Sequence, residues 1–193
     1  MEPARWLEDI ERVDVALYAA IAQTPTPALD RAMARLSEGA NYSRLSLAAA
    51  AALAVTGGRR GRRAAAVGLA SVGVTAAVVN LGVKPLGRRS RPDRAVERVP
   101  AARHVRMPSS TSFPSGHSAT AFAFATGVGH VLAPAAIPLH GLAAIVAYSR
   151  VHTGVHYPGD VVAGALLGTV LAQLTAHAWS PSSRRGGPSA LRP

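Results

Sequence analysis

The sequence predicts an all-α fold: an integral-membrane bundle of about five transmembrane helices, preceded by an N-terminal amphipathic helical segment. Three observations carry this. Of 193 residues, 49% are hydrophobic and only 16% charged, although the net charge is +11. The cations fall in clusters separated by long uncharged runs, as in membrane proteins, and not over one dispersed basic face as in nucleic-acid binders. No stretch shows the two-residue alternation of a strand. Aromatics make up 5% of the chain, which supplies few stacking platforms for bases, so no nucleic-acid partner is expected. The absence of cysteine excludes disulfides, thiolate metal sites and cysteine nucleophiles. The apolar runs are short and Ala-rich, and mean hydropathy is only +0.18, which keeps a soluble helical bundle as the alternative.

Three regions divide the chain: amphipathic helices over 1–40, a membrane-embedded domain over 41–179 and a disordered tail over 180–193. The N-terminus is acidic and lacks a basic start followed by an apolar core, so it does not read as a cleavable signal peptide. Trp6–Ala22 carries Trp6, Ile10, Val13, Leu17 and Ile21 near helical spacing with charges between them, an amphipathic helix too charged to cross a bilayer. Gln23–Pro27 breaks it, and Ala28–Glu38 resumes as a second amphipathic piece. Leu45–Thr56, extended back through Asn41, is a short first span. Gly57–Arg63, GGRRGRR, reads as a compact basic turn. Ala64–Val83 is twenty uncharged residues, about the length a helix needs to cross the hydrocarbon. Lys84–Arg106 holds eight cations and three prolines and continues as a loop to Pro114. Ser115–Leu132 is the third span, Ala133–Pro138 a proline-bounded turn, Leu139–Ser149 with its approach the fourth span, and Asp160–Trp179 the fifth.

Five spans place GGRRGRR, Ala133–Pro138 and the C-terminal tail on one face. The other face receives Lys84–Pro114, Ser149–Gly159 and the N-terminal helices. The positive-inside rule assigns GGRRGRR and Arg184/Arg185 to the cytoplasm, which sets the second face outside a bacterial cell membrane. The basic 84–106 loop opposes that assignment unless its charge serves an anionic ligand.

That second face collects the chemistry. Between Met107 and Ser183 the only charged side chains are Arg150 and Asp160, both within SRVHTGVHYPGD, Ser149–Asp160. Charges between apolar runs are costly to place. Lys84 is the single lysine against twenty arginines. Lys84, Arg91 and Arg150 are fixed cations, and Ser115 and the Gly116 amide stand where a helix begins, together an arrangement suited to a phosphate group. Glycine at 116 lets backbone approach the ligand. Two histidines and a carboxylate complete what phosphoryl transfer without a metal needs: positive charge, a nucleophile and an acid for the leaving group.

Lys84-x6-Arg91-Pro92, Pro114-Ser115-Gly116-His117 and Ser149-Arg150-x5-His156-x3-Asp160 resemble the three signature motifs of the type 2 phosphatidic acid phosphatase (PAP2) superfamily, with no departure at a motif position. The resemblance covers roughly 64–174 and points to the integral-membrane bacterial lipid phosphatases. It implies that His156 is the nucleophile, forming a phosphohistidine, and that Asp160 holds its imidazole. His117 would protonate the leaving alkoxide and then activate water, while Lys84, Arg91, Ser115, Gly116 and Arg150 clamp the phosphate oxygens. It implies no metal and no other cofactor. The substrate would be a lipid phosphate or diphosphate monoester: phosphatidic acid, phosphatidylglycerophosphate or polyprenyl diphosphate. A vanadate-holding haloperoxidase-like site and a non-catalytic polyanion-binding membrane protein are the alternatives, and the oligomeric state is left open. His152 reads as a wall of the site. Arg88, Arg89 and Arg94 read either as head-group contacts or as contacts to membrane phosphates.

Overall fold

The computed structural model describes residues 3–179, so the expected tail over 180–193 lies outside the described residues. Among the described residues seven α-helices form: α1 Pro3–Gln23, α2 Pro27–Gly39, α3 Arg44–Thr56, α4 Gly58–Ala77, α5 Gly116–Val131, α6 Ala133–His152 and α7 Pro158–Ala178. No strand forms among the described residues. All five expected spans are helices. Two of them, Gly58–Leu86 and Pro158–Ala178, are long and apolar enough to cross a membrane by length and composition. The 13 residues of α3 rise only about 20 Å at 1.5 Å per residue, short of the hydrocarbon thickness.

Helix α5 is the axis of the bundle and packs against α4, α6 and α7. Its small residues make this close approach work: Ala119, Ala123, Ala125 and Gly127 are buried together with Phe124 and Val128. A Cβ added at Gly168 of α7 would collide with the backbone carbonyl of Ala119, an obstacle that no side-chain rotation can relieve. Gly168→Ala is therefore expected to cost about 1–3 kcal/mol, the usual scale of overpacking, read as a lower melting temperature of the detergent-solubilised protein.

Two turns are tighter than the sequence suggests. The basic GGRRGRR segment is not a turn: the chain reverses at Gly57 and Gly58 (φ +56), and Arg59–Arg63 already belong to α4. Glycine tolerates this left-handed conformation without a Cβ clash. Likewise Ala133–Pro138 is helical, because Pro134 sits in the first turn, where no intrahelical N–H is needed, and Pro138 removes a single bond. Only Leu132 separates α5 from α6. Arg60 donates from Nε to the Val131 carbonyl (3.2 Å) at this end of α5.

At the opposite end, α4 widens into a π-helical turn, Val78–Val83, and ends in a 3-10 turn, Lys84–Leu86. Here α1 and α2 fold back on the bundle. Arg103 is fully buried and ties the α1–α2 turn together, donating from Nε to Asp30 (2.8 Å) and from Nη2 to the Thr24 carbonyl (2.6 Å). Asp30 also meets His152 Nε2 at 3.1 Å, which fixes α2 to the last turn of α6.

Candidate active site

The stretch Ser149–Asp160 is partly helix. Ser149–His152 forms the end of α6, and Gly154 turns the chain with φ +67 toward His156. Lys84, Arg91, Gly116, His117 and His156 line one cavity of about 460 Å³. Ser115 and Arg150 lie buried outside its lining.

Each group is held by a local cause. Ser115 caps α5, accepting from the Ser118 amide (3.4 Å), while its own N–H donates to the Asp160 carbonyl (2.9 Å). A helix cannot satisfy its first amides internally, so those of Gly116 and His117 are free to face an anion. A Cβ at Gly116 would meet nothing nearer than 3.9 Å, so the missing side chain opens space in the cavity. Arg91 is fixed by the Ser110 carbonyl (2.9 Å from Nε) and the Val155 carbonyl (2.7 Å from Nη1), and its Nη1 stands 3.2 Å from His156 Nε2. Ser110 accepts from Lys84 Nζ at 2.9 Å and from Arg91 Nη2 at 3.2 Å, so one hydroxyl spaces two cations.

His156 Nδ1 faces Asp160 Oδ2 at 3.4 Å. The carboxylate at that nitrogen favours the tautomer protonated on Nδ1, which leaves the Nε2 lone pair toward the cavity. Burial pushes the His156 pKa down to about 4; the Asp160 hydrogen bond opposes this, and Arg91 and Arg150 add to it. The imidazole is thus neutral near pH 7. His117 Nε2 lies 2.9 Å from Asn41 Oδ1, in the turn between α2 and α3.

Several of these partners escaped the sequence reading. Asp160 accepts from the Ser112 hydroxyl, from the Tyr157 amide (2.9 Å) and from Arg89 Nη1 (3.0 Å). Arg89 is therefore not a lipid contact: its Nη2 also pairs with Asp14 of α1 at 2.7 Å, and it stacks 4.3 Å from the Tyr157 ring centroid. Asp14 in turn accepts from the Gly159 amide at the start of α7 (2.6 Å). Arg150 donates from Nη1 to the Ser37 hydroxyl at 2.6 Å, while its Nε is buried without a partner in the structure. His152 is no wall of the cavity but the Asp30 partner described above. The hydroxyl run Ser109–Ser112 was the available signal for Ser110 and Ser112. Nothing in the sequence marked Asp14, Ser37 or Asn41.

A helical membrane bundle with cations, two histidines and a buried carboxylate at one end defines a phosphate-site class of membrane protein. Residues 64–184 match the PAP2 superfamily model, and the chain belongs to that superfamily. It is 37% identical over 155 residues to the decaprenylphosphoryl-5-phosphoribose phosphatase of Mycolicibacterium smegmatis, covering 80% of each chain. With the enzyme of the same name from Mycobacterium tuberculosis it shares 38% identity over 93 residues, 48% of this chain; the match spans about half of that relative's length (49%). Its fold is similar to that of the transmembrane PAP2-type phosphatidylglycerolphosphate phosphatase of Bacillus subtilis, with TM-score 0.66 and 26% identity over 88% of this chain and 86% of that one.

Proposed function

We propose that the chain is a metal-independent lipid phosphate phosphatase acting through a phosphohistidine. The observation that carries this reading is the neutral His156, backed by Asp160 at Nδ1 and opening its Nε2 on a cavity shared with His117, Lys84 and Arg91. Nε2 attacks phosphorus; a P–N bond forms as the bond to the lipid oxygen breaks, and His117 gives that oxygen a proton. Asp160 stabilises the positive charge gained by the imidazole, as a carboxylate does in other histidine-based sites. Water then attacks the phosphohistidine, His117 takes its proton, and the P–N bond breaks, releasing inorganic phosphate and restoring the His156 Nε2 lone pair. Lys84, Arg91 and the Gly116 amide neutralise the phosphate oxygens, a role in which preorganised donors contribute most. The unpartnered Arg150 Nε and the Ser115 cap support the cradle from behind.

Candidate substrates are phosphatidic acid, phosphatidylglycerophosphate, polyprenyl diphosphate and, from the relatives, a polyprenylphosphoryl phosphoribose. The active end faces the outside of a bacterial cell membrane, with the Arg59–Arg63 end in the cytoplasm. Purified protein is expected to release inorganic phosphate from such a panel at the same rate with and without EDTA; loss of turnover in EDTA would overturn the metal-independent mechanism. A reporter fused after Trp179 should behave as cytoplasmic, and an extracytoplasmic signal there would invert the orientation.

A further inference from the structure

The two histidines of the site have different partners behind them. His156 has the Asp160 carboxylate at Nδ1 (3.4 Å), whereas His117 has the Asn41 carboxamide at Nε2 (2.9 Å). Helix α2 brings Asn41 there. Arg150 Nη1 donates to both the hydroxyl (2.6 Å) and the carbonyl (3.2 Å) of Ser37, and Asp30 holds His152. The Ala40 N–H closes α2 on the Leu36 carbonyl (2.9 Å), and Asn41 follows directly. Tyr42 and Ser43 then lead into α3 in left-handed backbone (φ 56 and 55), which costs energy in non-glycine residues and persists where surrounding contacts hold it. Ala40, Tyr42 and Ser43 line the cavity, while Asn41 is not part of that lining and meets His117 instead. A neutral imidazole donates from one nitrogen, a protonated one from both. The general acid is the protonated form, so its Nε2–H needs an acceptor, which the Asn41 oxygen supplies. Nδ1 is then the nitrogen left for the substrate. The groups that bear most on His117 are Arg150, His156, Lys84 and Arg91, with no carboxylate among them. A carboxylate suits His156, which gains positive charge when its Nε2 attacks. It would hamper His117, which has to give its proton away; a neutral amide orients the ring without holding the charge.

We propose that Asn41 is the positioning residue of the acid–base histidine, so that the N-terminal helices complete the active site as well as brace it. In the first step His117 gives its Nδ1 proton to the lipid oxygen as the bond from that oxygen to phosphorus breaks, and the electron pair of the N–H bond stays on Nδ1. In the second step Nδ1 takes a proton from water while the water oxygen bonds to phosphorus and the P–N pair returns to His156 Nε2. The Nε2–H of His117 stays on Asn41 Oδ1 throughout, so the ring presents Nδ1 to the same side in both steps. Asn41 touches no reacting atom and acts through His117.

This rests on the phosphatase reading. The test uses the full chain in detergent and compares kcat/KM for wild type, Asn41→Ala, His117→Ala and the double variant. Two substrates are lipid phosphates with alkoxide leaving groups, phosphatidic acid and polyprenylphosphoryl-5-phosphoribose. The third is 4-nitrophenyl phosphate, whose phenolate departs without a proton. Asn41→Ala is expected to lower kcat/KM on the better lipid about ten- to hundredfold, the scale of one hydrogen bond to a charged group, and on 4-nitrophenyl phosphate by less than about threefold. In the His117→Ala background the same substitution should cost less than about twofold on the lipid, since nothing remains for it to orient. Equal losses on both kinds of substrate, or losses on the lipid that multiply with those of His117→Ala, overturn the proposal and leave Asn41 a structural contact. The His117→Ala background decides alone if wild type does not cleave the aryl ester. Hydrolysis of neither lipid by wild type overturns the phosphatase reading beneath it.

Discussion

His156→Ala is expected to reduce phosphate release by at least about four orders of magnitude, the scale seen when a covalent nucleophile is deleted elsewhere. The loss should leave the protein inserted and folded, because His156 is a terminal partner in its contacts. Its Nε2 meets only Arg91 Nη1, which the Ser110 and Val155 carbonyls still hold, and Asp160 keeps Arg89, Ser112 and the Tyr157 amide. Wild type quenched in acid-free conditions during turnover should carry an acid-labile phosphate, and the variant none. Full activity in the variant would remove His156 from the nucleophile's role.

Arg89→Gln should produce the second-largest effect, of two separable kinds. The guanidinium is shared between Asp14 at 2.7 Å and Asp160 at 3.0 Å, carboxylates whose side chains are 8% and 0% exposed. Desolvation works against its charge, but the two carboxylates outweigh this and raise its pKa. Breaking such a buried arrangement costs about 3 kcal/mol, visible as a lower melting temperature. The kinetic effect is more diagnostic. Arg91, Arg150, His117 and Asp160 bear on His156, and only Asp160 is anionic; Arg89 draws off part of that negative charge. Without Arg89 the carboxylate favours the imidazolium more strongly, so the His156 pKa rises from about 4 and the acid limb of the pH–rate profile moves to higher pH. Asp14→Asn should move the limb the other way, since Arg89 then bears on Asp160 alone. A merely structural Arg89 would lower the rate at every pH and leave the limb in place.

The helices and the gathering of Lys84, Arg91, Gly116, His117 and His156 around one cavity were legible in the sequence because both are written locally. Uncharged runs mark helices α4 to α7, and the lone lysine and the two charges at Arg150 and Asp160 stand out against apolar neighbours. What holds the site was not legible, because it comes from residues distant in sequence. Asp14 and Asp30 look like ordinary charges on amphipathic helices. Only the folded chain shows them 7% and 5% exposed, facing Arg89 and Arg103. The same limit explains the two overdrawn turns. Glycine and proline mark where a chain reverses, but a one-residue reversal and a loop of six are written with the same letters.

The clasp between the N-terminal helices and the bundle bears on the order of assembly. Its bonds span large sequence separations: 73 residues for Asp30 with Arg103, 113 for Ser37 with Arg150, 122 for Asp30 with His152 and 145 for Asp14 with Gly159. During synthesis both carboxylates emerge before their partners: Asp30 can meet Arg103 and His152 before α7 is made, whereas Asp14 must wait for Gly159 at the start of α7. Long closures of this kind form late. The amphipathic pair then works as a latch, and the candidate site is held in its final shape only once the start of α7 has been made.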